Sequence, residues 1–148
     1  MSKQRKLNIL IVEDEPGDAR LMQLALRKGG FAIEMQVAGD GLEALRMLRR
    51  EGERFRAAPR PDLILLDLKM PGKGGLGFLE ELKQDERLRA IPAVIVTTSM
   101  LDADVLASYR FGAAGYLVKS ADLGEFMAAI EILGKYWFGL VHLPLNSD

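Results

Sequence analysis

The run Leu63-Ile64-Leu65-Leu66 ends in a carboxylate, Asp67, and Pro71-Gly72 breaks the chain four residues later. A short, uninterrupted apolar run closed by turn residues offers no polar face to water. It reads as a strand buried on both sides, as in a parallel sheet. Asp67 then stands at or just past the strand's C-terminal end, the edge at which open α/β sheets place their chemistry. An ionised carboxylate there has to be satisfied by a counter-charge or by hydrogen-bond donors.

The same pattern recurs along the chain. Leu7 to Val12 is an apolar run that ends in Glu13-Asp14-Glu15, Ala93 to Val96 ends in Thr97-Thr98-Ser99, and Tyr116 to Val118 ends in Lys119. Ile33, Met35 and Val37 alternate with polar residues, which suits a more exposed edge strand. Helical stripes separate the strands. Pro16 fits a first helical turn, Leu21, Met22, Ala25 and Leu26 follow it, and Gly29-Gly30 ends that helix. Asp40 and Glu43 have capping-box spacing ahead of a second helix whose buried face is expected to be Leu42, Leu45 and Leu48. The third helix turns Leu76, Leu79 and Leu82 inward. The fourth runs from Asp102 to Phe111 with Val105, Leu106 and Tyr109 on one face and Gly112 as its stop. Asp122 caps the fifth, whose stripe is Leu123, Phe126, Met127, Ile130 and Leu133. Glu51 to Pro61, charged and with two prolines near its end, reads as a surface loop, long for a compact domain.

Strict βα alternation implies a doubly wound α/β fold: a five-stranded parallel sheet with helices on both faces, a three-layer sandwich. The chain of 148 residues is the length of one domain. Its core is expected over 7–135, with an apolar C-terminal extension over 136–148. In the flavodoxin-like order 2-1-3-4-5, strands 1, 3, 4 and 5 are neighbours, so Glu13, Asp14, Asp67, Thr97 and Lys119 converge on one site. Any one of these residues alone is more often a cap or turn residue than a reactive group. Four strand ends carrying matched polar groups, with the edge strand blank, point to a built site.

Three carboxylates at close range cannot all stay ionised without counter-charge, and Lys119 supplies one positive charge. A hard divalent cation with oxygen ligands completes the balance, and Mg²⁺ suits a site with few protein ligands and several waters. Such a site accepts a phosphoryl group well. The cation and Lys119 neutralise its oxygens, the Thr97 hydroxyl donates to another, and an aspartate carboxylate, ordinarily ionised near pH 7, needs no general base.

At this point the residues resemble a known family. Ile11-Val12-Glu13-Asp14-Glu15, Leu66-Asp67-Leu68-Lys69-Met70-Pro71-Gly72, Val96-Thr97-Thr98 and Gly112 to Lys119, in this order and spacing, are similar to the receiver domain of two-component response regulators, a CheY-like fold. The resemblance spans essentially residues 7–135. It implies that Asp67 accepts a phosphoryl group from a phosphohistidine on a sensor histidine kinase. Asp14 and Asp67 bind Mg²⁺ (Mn²⁺ or Ca²⁺ in a crystal) directly, the Lys69 backbone carbonyl is a further ligand, and Glu13 acts largely through a bound water. Thr97 and Lys119 hold phosphoryl oxygens. Tyr116 matches the switch aromatic that turns inward as Thr97 moves, remodelling the face of the fourth helix, fifth strand and fifth helix. Lys69 and Ser99, two residues past Asp67 and Thr97, occupy positions where the family tunes hydrolysis. The family ordinarily places proline after the strand-5 lysine, joined by a cis peptide, whereas Ser120 stands here. A cis bond before a non-proline residue costs about 3–4 kcal/mol. Two alternatives follow: a trans peptide with an adjusted loop, or a strained cis bond held by the site.

Tyr136-Trp137-Phe138-Gly139-Leu140-Val141-His142-Leu143-Pro144-Leu145 is too short for an effector domain and too apolar for a solvated tail. Together with the long loop before Leu63, it resembles the stand-alone receivers that serve phytochrome-type sensor kinases. That resemblance implies a homodimer through the extension and the fourth-helix, fifth-strand, fifth-helix face, with a downstream phosphotransfer or target protein as a further partner. The alternative is that the segment folds back on its own domain. His142, the only histidine, lacks the flanking acid and helical pattern of a relay site.

Composition removes other classes. A net charge of −1 is poor for nucleic-acid binding, which needs a basic face. Without cysteine there is no disulfide framework, thiolate metal site or thiol nucleophile. No apolar run has membrane-spanning length, and the basic start Met1 to Lys6 leads into only a short strand, so no signal peptide is read and a cytoplasmic protein is expected. A flavin carrier would want a neutral phosphate loop after strand 1, where Glu13-Asp14-Glu15 repels phosphate. An aspartyl-phosphate hydrolase would want an acid two residues after the nucleophile, where Lys69 stands, and a cap domain for which no residues are left.

Overall fold

The computed structural model describes residues 6–144. The basic start up to Arg5 and the end of the extension, Leu145 onward, lie outside the described residues. Five parallel strands form one sheet in the order β2-β1-β3-β4-β5, as expected from the alternation. They are β1 (Leu7–Val12), β2 (Ile33–Ala38), β3 (Leu63–Leu66), β4 (Ala93–Thr97) and β5 (Gly115–Val118). Six α-helices intervene: α1 (Pro16–Arg27), α2 (Gly41–Leu48), α3 (Gly52–Phe55), α4 (Gly74–Gln84), α5 (Asp102–Arg110) and α6 (Leu123–Gly134). A π-helical turn, Lys135–Leu140, continues α6. The short α3 corrects the expectation that Glu51 to Pro61 is loop throughout. It also makes the fourth and fifth helices of the sequence reading α5 and α6.

Side chains on a strand alternate between faces, and the core divides accordingly. Leu10, Val12, Ile64, Leu66 and Ile95 face α2 and α4, meeting Leu45, Leu48, Phe78, Leu79 and Leu82. Ile9, Ile11, Leu63, Leu65, Val94 and Val96 face α1 and α6, meeting Met22, Leu26, Phe126 and Ile130. All four residues of β3 are buried, which is why its sequence carries no polar alternation.

Helix faces depart from the sequence reading in places. Asp40 caps α2 by accepting from the Glu43 N–H at 2.8 Å, and Glu43 accepts in return from the Gly39 N–H. The cap starts the helix at Gly41, whose missing Cβ leaves room for the Phe78 Cβ of α4. The buried arc then runs through Gly41, Ala44, Leu45 and Leu48. Leu42, about 100° further round from Gly41, is 56% exposed. In α4, Phe78 takes the buried place alongside Leu79 and Leu82, while Leu76 is only half-buried. Leu123 stays exposed in the first turn of α6, before the stripe reaches Phe126. Leu106 and Tyr109 do share a face of α5, but it points to solvent, and Ser108 is that helix's buried residue.

The extension divides. Trp137 and Phe138 pack on the α1–α6 side of the core, and Phe138 meets Phe31 edge-on at 5.8 Å between ring centroids. Tyr136 and Leu140 remain exposed.

Candidate functional site

The sheet brings the strand ends together through its register. Val12 pairs with Leu66, so Glu13 and Asp67 follow side by side, and the Asp67 N–H donates to the Val12 carbonyl at 3.0 Å. Thr97 pairs with Val118, and the Lys119 N–H donates to the Thr97 carbonyl at 2.7 Å. These backbone bonds are what fix the four side chains at one edge.

Lys119 occupies the middle of the site, its side chain only 7% exposed. Its ammonium donates to Glu13 Oε1 at 2.7 Å, Asp18 Oδ2 at 2.8 Å and Asp67 Oδ2 at 3.3 Å. Burial alone would lower its pKa; the bonds to Asp18 and Glu13, with the charges of Glu13 and Asp67, outweigh that and hold it above the ordinary lysine range. Glu13 is buried, and its second oxygen accepts from the Glu15 N–H at 3.1 Å. Burial, together with the nearby Asp67 charge, raises the Glu13 carboxyl to about 7 despite its bonds to Lys119 and Glu15.

Oxygen atoms of Glu13, Asp14 and Asp67 lie within 4.8 Å of one another, with Asp14 exposed on the open side. Three clustered carboxylates beside a single ammonium leave a surplus of negative charge that one lysine does not cancel. Closely grouped carboxylate oxygens with an open side fit a hard divalent cation that keeps water ligands. The loop after Asp67 is held by the Lys69 N–H, which donates to Asp67 Oδ1 at 3.2 Å. The Lys69 side chain itself is exposed.

On the other flank Thr97 is fully buried and accepts a long bond, 3.5 Å, from the Ser99 N–H. Ser99 ties the β4–α5 loop down: its hydroxyl donates to Asp104 Oδ2 at 2.5 Å and accepts from the Leu101 N–H. Half-buried Tyr116 donates its hydroxyl to the Ser99 carbonyl at 2.9 Å. Burial and the charges of Asp104 and Asp67 push its phenol pKa up, so it stays a donor. Among the described residues no peptide bond is cis, so Lys119–Ser120 is trans. The Ser120 hydroxyl holds the following loop by donating to Glu125 and accepting from the Asp122 N–H.

Two residues of the site were missed in the sequence. Asp18 is a direct partner of Lys119; its signal was its place three residues into a helix whose start Pro16 pins beside the β1 end. Gly75 lies against the Asp67 backbone, and the Gly-rich stretch Gly72 to Gly77 was its signal.

A family model described as the response regulator receiver domain matches residues 9–131. Response regulator Rcp1 of Synechocystis is 40% identical over 136 residues, 92% of each chain. The probable methanogenesis regulatory protein FilR2 of Methanothrix harundinacea is 37% identical over 92% of this chain and 86% of its own. Among solved structures, the Mn²⁺-bound form of Rcp1 superposes with a TM-score of 0.89 at 39% identity, covering 94% of this chain and 99% of that one. The phosphorylated cyanobacterial phytochrome response regulator RcpA gives a TM-score of 0.91 at 38% identity, covering 95% and 100%. Sequence motifs, sheet order and these likenesses agree: the chain belongs to the response regulator receiver domain family.

Proposed function

We propose that Asp67 is the phosphoacceptor and that its donor is a phosphohistidine on a sensor histidine kinase of the phytochrome type. The observation that carries this reading is the Lys119 ammonium held between Glu13 and Asp67, beside the open cluster of three carboxylates. In the transfer, an Asp67 carboxylate oxygen forms the new O–P bond as the P–N bond to the kinase histidine breaks. Lys119 and the Thr97 hydroxyl take phosphoryl oxygens as charge builds there. Glu13, Asp14, Asp67 and the Lys69 carbonyl would hold a divalent cation, Mg²⁺ in the cell, which neutralises phosphoryl charge. Both Glu13 oxygens are already engaged, by Lys119 and by the Glu15 N–H, which favours a role for Glu13 through a cation-bound water. Beyond this transfer and slow hydrolysis of its own acyl phosphate, the chain acts as a signalling module in the cytoplasm.

Tyr116 supports the switch role. Its bond to the Ser99 carbonyl couples β5 to the loop that follows Thr97, so movement of Thr97 is passed to α5, β5 and α6. Output then goes through protein contacts, to a downstream phosphotransfer or target protein. The phytochrome partnership is supported by the likeness to RcpA and to the bacteriophytochrome response regulator RtBRR, which is 38% identical with a TM-score of 0.73. A purified, autophosphorylated phytochrome-type kinase is expected to pass its label to this chain faster than an unrelated histidine kinase does. Equal or absent transfer from the phytochrome-type kinase would remove that partnership.

The same face supports a homodimer. Met100, Leu101, Leu106 and Tyr109 are exposed at the start and along the outer side of α5, and Leu140 of the extension is 80% exposed. Grouped apolar exposure of this kind marks interfaces. Light scattering is expected to give twice the chain mass; a monomer at high concentration, with and without beryllofluoride, would exclude the dimer.

A further inference from the structure

An ammonium has three N–H donors, and all three of Lys119 are spent on carboxylates: Glu13 at 2.7 Å, Asp18 at 2.8 Å and Asp67 at 3.3 Å. The bond to Asp67 is the longest, so the ammonium sits on the Glu13 and Asp18 side of the site. The N–H now on Asp67 is the one that turns to a phosphoryl oxygen there. To shorten that 3.3 Å contact to a full-strength bond, the ammonium must draw away from one of the other two. Glu13 cannot be released cheaply, because its side chain is 0% exposed and would be left as a buried, unpaired carboxylate. The Asp18 side chain is 34% exposed, so water can take over its oxygens. Asp18 also lies in the first turn of α1, where the helix N-terminus favours a free carboxylate.

We infer that Asp18 is the resting counter-ion of Lys119 and competes with the phosphoryl group for it, so that this residue sets how readily the site takes up and retains that group. The inference rests on Asp67 being the acceptor. Asp18 is a positioning residue: it acts on the phosphoryl group through Lys119 and through the negative charge it adds to the same edge. Its removal therefore has opposite effects on the two ligands of the site. An anion on Asp67 gains both the lysine and a weaker opposing field, whereas a cation loses part of the field that attracts it.

The test is calorimetric titration of the full chain with Mg²⁺ alone and with beryllofluoride, a phosphoryl mimic, at saturating Mg²⁺. Asp18→Asn is expected to bind beryllofluoride about tenfold more tightly than wild type, equivalent to about 1.4 kcal/mol, and Mg²⁺ alone about threefold more weakly. Asp18→Ser repeats the pattern with a different replacement, and Asp18→Glu, which keeps the charge, stays within about twofold of wild type. Beryllofluoride affinity unchanged or weakened in both neutral variants overturns the competition, and weakening of both ligands together assigns Asp18 to tethering α1 alone. Wild type that binds no beryllofluoride, or Asp67→Asn that binds it equally, overturns the acceptor reading instead.

Discussion

Acetyl phosphate and Mg²⁺ are expected to label the wild-type chain, with labelling falling to background in Asp67→Asn. The loss is chemical rather than structural. In the variant Lys119 keeps its two short bonds, to Glu13 and Asp18, and Leu63–Leu66 keep their buried contacts on both faces of the sheet. A second readout separates the two causes. Mg²⁺ at about a hundred times its dissociation constant adds about 2.7 kcal/mol to stability. For a chain of this length that raises the unfolding temperature by about 5–11 °C. Asp67→Asn removes one of the three clustered carboxylates, so this rise should shrink to a fraction of the wild-type value. In chelator the order reverses. The Asp67 charge is one of the causes that push Glu13 up, so the amide relieves repulsion and Asp67→Asn should melt above wild type. Labelling that persists in Asp67→Asn, or a wild type that takes no label, would move the acceptor elsewhere or remove it.

What could be read from the sequence, and what could not, follows from which features are local. β3 is buried on both faces, so its four apolar residues announce both the strand and the point at which it stops, and Asp67 is simply the next residue. Lys119 follows β5 in the same way. Once βα alternation dictates a parallel sheet, the ends of neighbouring strands must meet, and no side-chain geometry is needed to see it. Asp18 is different. Its role depends on the rotation of α1 about its own axis and on how deep that helix docks beside β1, and both are set by Met22 and Leu26 packing on the sheet. The same rotational freedom misplaced Leu42, because a cap fixes where a helix starts while the facing helix fixes which side is buried. Ser120 removed the usual preference for a cis bond without supplying a replacement. The trans peptide is legible only once the Ser120 hydroxyl is seen holding Glu125 and the Asp122 N–H.

Gly75 sets two rules of protein stability against each other. It lies in the first turn of α4, where helix propensity favours alanine over glycine by about 1 kcal/mol. Its backbone, however, rests on the loop that carries the acceptor. A Cβ there would stand 2.6 Å from Leu68 Cα and closer still to the Asp67 carbonyl oxygen. Both neighbours are backbone, and neither can rotate away. Overpacking of this kind costs about 1–3 kcal/mol and more when backbone has to shift, so sterics outweigh propensity. Gly75→Ala is expected to lose about 3 kcal/mol, a fall in unfolding temperature of about 6–12 °C. Acetyl phosphate labelling should drop with it, since the displaced atoms belong to Asp67 itself. Gly77, two residues along the same helix, provides the control. The nearest atoms its Cβ would meet belong to the Lys73 side chain, with Cγ at 2.7 Å, so that chain must change rotamer and loosen its ion pair with Glu81, but no backbone has to move. Gly77→Ala should therefore cost far less than Gly75→Ala, because the propensity gain of about 1 kcal/mol offsets the side-chain shift, with labelling unchanged. If Gly77→Ala loses as much stability and labelling as Gly75→Ala, the close approach of α4 to the Asp67 loop is not what holds the acceptor in place.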